Sequence, residues 1–198
     1  MFYAKVIIAD FKNYINLLKI DFLKTLFQQY RPFLLFLGKF FLSYLLLSVL
    51  YRFYLSQVSD DAIDGITANV SKTVRQAAQW LGISIETRPG FMAYEIIYQG
   101  KSIARIIEGC NGTSVIILFT AFIIAFSGKL KATLIYVLLG SVVIYVLNIV
   151  RIICLTALLY KFPQFEHFLH GVLFPAVIYG IVFLLWLFWI KNYSKYAS

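Results

Sequence analysis

One of the chain's two thiols sits where a polar stretch meets an apolar one. Cys110 stands within Glu108-Gly109-Cys110-Asn111-Gly112, and an apolar run begins at Thr113. Further along, Arg151 interrupts a second apolar run, and His167 and His170 stand just before a third. A cysteine attacks through its thiolate, a form favoured by a helix N-terminus or a neighbouring cation. An arginine can hold the charge that develops on a carbonyl oxygen under attack, and a histidine moves protons near neutral pH. Brought together, these three side chains can cleave or transfer a peptide bond. Each also has a plainer reading: Cys110 as a small packing residue, Arg151 as a headgroup anchor or a partner of Glu108, the histidines as interfacial polar anchors.

Whether they can meet depends on the elements that carry them. The chain has 198 residues, of which 61% are hydrophobic and only 14% charged. Soluble domains are about half apolar and about a quarter charged, so this composition belongs to an integral membrane protein. The net charge of +9 would suggest nucleic acid in a soluble protein. Here the basic residues flank apolar runs, and the positive-inside rule accounts for them without a nucleic-acid partner. Two cysteines, Cys110 and Cys154, are too few for a disulfide framework; Cys154 reads as a packing residue. With two histidines and scattered acids, no ligand spacing for a metal and no phosphate-binding glycine loop stands out, so neither metal nor cofactor is expected.

The pattern predicts an all-α polytopic membrane protein with about four transmembrane helices, an N-terminal amphipathic interfacial helix and a small extracytoplasmic α+β cap. Residues 1–31 read as a helix lying on the cytoplasmic membrane surface, with Lys5, Lys12, Lys19 and Lys24 near a helical period; they lack the apolar core and small-residue site of a cleaved signal peptide. Residues 32–55, opened by Pro32, form the first span. Residues 110–198 form a core with three more: a short run over 113–126 that borrows 110–112 at its outer end, a long one over 132–160 that must tilt, break or project, and a last one over 171–190. With the N-terminus inside, the lysines at 129, 131, 191 and 195 join the first basic cluster on the cytoplasmic side. Cys110, Arg151 and both histidines then share the outer side.

Residues 56–109 read as a domain rather than a loop. Ser59 or Asp60 can cap a helix whose stripe is Ile63, Ile66, Val70, Val74, Ala77 and Leu81. Strand-like runs follow over 83–87, 92–98 and 102–107, with turn signals at Pro89-Gly90 and Gln99-Gly100. Such a cap leads straight into Cys110. In the third span Asn148, Arg151 and Cys154 recur at three-residue spacing on a shared helical side. Asn111, Gly112, Asn148 and Glu108, which flank Cys110 and Arg151, are the candidates for positioning a substrate.

Three of these regions together resemble a known family. Glu-Gly-Cys-Asn-Gly at 108–112, Asn148-Ile149-Val150-Arg151, and the histidine-bearing entry to the last span at 166–174 are similar to the signature regions of the exosortase/archaeosortase family, most of all its small Bacteroidetes-type members. The resemblance covers about residues 106–189. It implies a multi-pass cysteine protease/transpeptidase of the inner membrane with an outward-facing active site. Its substrates would be exported proteins with a C-terminal sorting signal, transferred to an acceptor; its other partners would be membrane lipids. It implies Cys110 as nucleophile, Arg151 as essential cation, and His170 or His167 as proton carrier. His167 has Gly171 four residues on, as in many members; His170 lies deeper and is preferred. A non-catalytic scaffold subunit of an export or polysaccharide system, or a small anion transporter in which Arg151 holds the anion, remains the alternative.

Overall fold

In the computed structural model, the backbone is described for residues 2–59, 62–126 and 128–193, and side chains from residue 27 onward within those ranges. The chain falls into two compact units, residues 1–39 and 40–198. Helix α1 is assigned over Phe2–Leu55 and runs through Pro32, the position expected to open a new element. A prolyl residue removes one backbone donor, and here that loss does not end the helix. The lysine stripe that makes residues 1–31 look interfacial lies outside the described side chains. The second unit continues with α2 (Gly65–Trp80), β1 (Ile85–Pro89), β2 (Tyr94–Tyr98), β3 (Lys101–Ile106), a 3₁₀ turn (Glu108–Cys110), α3 (Thr113–Ala125) and α4 (Leu130–Lys161). It ends with a 3₁₀ turn (Pro163–Phe165), a single helical turn α5 (Glu166–Phe168), a π-helical segment (Leu169–Leu173) and α6 (Phe174–Tyr193).

Three described helical segments are long and apolar enough to cross a membrane: Phe27–Leu55, Leu130–Lys161 and Pro163–Tyr193. Their outward side chains are large and apolar, among them Phe41, Leu45, Leu138, Val142, Phe183 and Leu187. Such a belt is stable only in lipid, and the chain is an integral membrane protein. The fourth expected span is shorter than the other three. Helix α3 has 13 residues, about 20 Å at 1.5 Å per residue, against a hydrocarbon core of about 30 Å. The run does not borrow residues 110–112. Gly112 takes the left-handed conformation (φ 83°) at the N-cap, and the preceding residues form a separate 3₁₀ turn.

Helix α4 settles the length puzzle of its run by neither breaking nor stopping. Its 32 residues extend about 48 Å, and the two ends serve different cores. The N-terminal half joins a membrane cluster of Phe119, Ile123, Ile144, Ile178, Val182 and Trp189. The C-terminal half supplies Ile149, Ile152 and Ile153 to a second cluster with Val70, Val74, Ala78, Ile85, Ile96 and Ile106. In the membrane cluster Gly140 lies so close to Phe119 that an added Cβ would meet the ring. Gly140→Ala is therefore expected to lower stability by about 1–3 kcal/mol through overpacking. Gly180→Ala, with nothing within 4 Å of an added Cβ, should leave the thermal midpoint in detergent unchanged or slightly raised.

The cap is the expected helix plus antiparallel sheet, with local shifts. Asp64, not Ser59, caps α2: its carboxylate accepts hydrogen bonds from the backbone N–H of Ile66 (3.0 Å) and Thr67 (2.9 Å). Asp60 lies outside the described residues. Thr67, Val70, Ser71, Val74 and Ala78 form the buried stripe. Leu81 is its C-cap and is 66% exposed, so the stripe ends a turn early. The sheet order is β1-β2-β3, antiparallel throughout. Gln99 (φ 52°) and Gly100 (φ 73°) close the β2–β3 hairpin; two successive positive φ angles match the right-handed twist of the strands they join. Ile97 pairs with Ser102 but Ile96 with Ala104, so Ile103 is an extra residue in a bulge.

Candidate active site

The Cys110 turn is tied down from three directions. Asn111 is 2% exposed, and its side-chain groups are fully engaged. Its amide donates to the Tyr51 hydroxyl of α1 (2.9 Å) and to Thr67 Oγ1 of α2 (3.2 Å). Its Oδ1 accepts from the Thr113 N–H at the start of α3 (2.9 Å). One asparagine thus joins three helices. It is committed to the scaffold, not free to hold a substrate as its position next to Cys110 suggested. Asn111→Ala leaves buried Thr67 and the first amide of α3 without this partner. We expect a stability loss of about 1–3 kcal/mol, read as a lower thermal midpoint in detergent.

Asn148 acts from the other side. It is 1% exposed, and its Nδ2 donates to the Cys110 carbonyl at 2.9 Å. An added Cβ on Gly112 would lie 3.3 Å from Asn148 Cγ and Nδ2. Gly112 is thus required twice, for its left-handed backbone and for the closeness of Asn148. Both residues position the turn itself.

Cys110 and Arg151 are each half-buried. Together with His170 they line a single cavity of about 470 Å³. Three separate elements deliver them: the 3₁₀ turn, α4 and the π-helical segment. Among the described residues Arg151 makes no hydrogen bond and no ion pair; the one salt bridge there joins Arg88 and Glu86 on the sheet surface. Glu108 does not neutralise Arg151. It is exposed and lines two other depressions, one with Ser59 and Asp64, the other with Tyr44 and Arg52. Among the described residues no carboxylate lies within ion-pair distance of the guanidinium at the cavity.

The two histidines part company. Both are exposed, but only His170 lines the cavity. His167 belongs to α5, whereas His170 is the second residue of the π-helical segment Leu169–Leu173 that leads into α6. Pro175, two residues past that segment, has no N–H, and its ring crowds the carbonyl of Gly171 four residues back. Single-turn π-helical insertions of this kind recur at functional sites. Cys154 is also separated. It is exposed and absent from the cavity lining. Each three-residue step along a helix falls about 60° short of a full turn, and two steps from Asn148 carry Cys154 off the face occupied by Ile152, Leu155 and Thr156. It is not a packing residue inside the protein.

Two charged residues not singled out in the sequence also reach the cavity: Arg105 from β3 and Glu166 from α5. Spacing gives no signal for Arg105, which arrives only through the sheet. Glu166 stands one helical repeat before His170, a signal that was available. Among the described residues no group of three or more His, Cys, Asp and Glu gathers as a metal site.

A family model described as transmembrane exosortase (Exosortase_EpsH) matches residues 28–190. Neither curated proteins nor solved structures gave a match. The matched region contains Cys110, Arg151 and His170 and nearly all of each described span, and the chain belongs to the transmembrane exosortase family.

Proposed function

We propose that this chain is a membrane-embedded cysteine peptidase/transpeptidase that removes C-terminal sorting signals from exported proteins. The observation that carries the reading is the convergence of Cys110, His170 and Arg151, which has no partner among the described residues, on one cavity. Cys110 Sγ attacks the carbonyl carbon of the scissile bond and passes its proton to His170. Arg151 holds the tetrahedral oxyanion. The C–N bond breaks as His170 gives its proton to the leaving amine, and a thioester remains on Cys110. An acceptor amine, or water, then loses a proton to His170 and attacks the thioester; the proton returns to sulfur as the product leaves.

The substrate would carry a short motif, a transmembrane helix and a basic tail. The lysines at 129, 131 and 191 lie at the ends of α4 and α6 remote from the cavity-lining residues, and the positive-inside rule then turns the cavity outward from the cytoplasmic membrane. Co-expression with a membrane-anchored substrate of that design tests the reading. Intact-mass analysis should find the substrate's N-terminal portion linked to the Cys110 peptide as a hydroxylamine-sensitive thioester. Processing without any Cys110 adduct, and unaltered by replacing Arg151, would instead favour a scaffold or an anion transporter.

A further inference from the structure

Strand β3 is the last in the sheet and pairs only with β2. Among the described residues its backbone makes no hydrogen bond outside that ladder. An edge strand offers alternate N–H and C=O groups in a row, a template for another extended chain. Proteins usually blunt such edges with lysine, proline or a covering element. Here Lys101 and the Ile103 bulge, another such device, are at the hairpin end, and the stretch from Ala104 to Ile106 contains no proline.

This edge opens into the cavity that holds Cys110. Ile103, Ala104, Arg105, Ile106 and Ile107 all line it. Successive side chains of a strand point to opposite faces. The bulge at Ile103 interrupts this alternation and Ile107 lies beyond the strand's end, but Ala104, Arg105 and Ile106 alternate and all reach the cavity, so the strand meets it along its edge, where backbone is presented. Ile106 is 1% exposed and Ala104 half-buried, so the edge's polar groups are partly withdrawn from water and need partners. The chain passes from this edge directly into the Glu108–Cys110 turn.

We propose that the free edge of β3 is the substrate-binding strand: an extended segment of the substrate polypeptide pairs along residues 103–106 as a fourth strand and brings its scissile carbonyl to Cys110. A row of donors and acceptors at strand spacing matches another peptide backbone, and backbone pairing gives affinity while alternate side chains give selectivity. Substrate side chains turned inward meet Ile152, Leu155 and Leu159 of α4, an apolar wall. Those turned outward share the side of Arg105. This inference rests on Cys110 being the nucleophile.

The test uses the full chain in detergent and a peptidyl chloromethyl ketone, Ac-Thr-Val-Thr-Ala-CH2Cl. Cys110 sulfur forms a bond to the methylene carbon and chloride leaves, so labelling is read by intact mass. Two further probes carry one N-methyl group each, on adjacent amides. Adjacent N–H groups of a paired strand point in opposite directions. One isomer should therefore label about tenfold more slowly than the parent, the scale of a lost hydrogen bond, and the other within about twofold of it. Equal rates for all three probes, with labelling still confined to Cys110, would overturn the strand pairing and leave the nucleophile standing. Labelling of Cys154 as fast as Cys110 would overturn both.

Discussion

Replacing Cys110 by alanine is expected to abolish release of the sorting signal, a loss on the order of 10⁴-fold or more, as for removal of a covalent nucleophile elsewhere. Quantifying processed and unprocessed substrate on co-expression measures it. Folding should survive the change. The Cys110 side chain is only half-buried, and the turn is held by backbone contacts: the Cys110 N–H donates to the Ile107 carbonyl (2.9 Å), and the Cys110 carbonyl accepts from Asn148 (2.9 Å). Neither needs the thiol. Cys154→Ala removes an exposed sulfur outside the cavity and should process normally. Wild-type turnover in Cys110→Ala would end the covalent mechanism.

The second large effect belongs to histidine. His170→Ala should slow processing by roughly 10²–10⁴-fold, the range for loss of a positioned acid–base group, while His167→Ala stays close to wild type. The contrast follows from placement, since only His170 lines the cavity. Added imidazole should restore part of the rate to His170→Ala, because a small base can diffuse into the space the ring leaves. A folding defect would not respond to imidazole. The reverse ranking of the two variants would move the proton-carrying role to His167.

Much of this architecture could be read along the chain, and what escaped has a common cause. The runs that became α1, α4 and α6 announce themselves by composition. The sheet follows from alternation and from Pro89-Gly90 and Gln99-Gly100, because local turn chemistry needs no distant partner. The helix cap was displaced because Ser59, Asp60 and Asp64 are all competent caps; only the position of the first buried turn, Thr67 to Val70, chooses among them. Cys110, Arg151 and His170 could be named from residue type and from family resemblance. Their supports could not. Asn111 reaches residues 60 and 44 positions away, and Asn148 reaches one 38 positions away; no period or motif encodes such pairings. Both asparagines looked like substrate contacts because they flank the reactive residues, yet their hydrogen bonds go to the fold. The separation of His167 from His170 falls at the junction of α5 with the π-helical segment, a change of backbone that no pattern of polarity encodes.

The continuity of α4 makes it a ruler. One stretch is locked among membrane-core side chains at Gly140, and Arg151 stands on the same unbroken rod about three turns, or about 16 Å, farther on. Because a helix resists stretching, the elevation of the guanidinium above that anchor is constant. A client protein held by its own hydrophobic anchor would therefore be cut at a fixed altitude, and lengthening its tether by a few residues would move the bond out of reach even with every letter of its recognition motif intact.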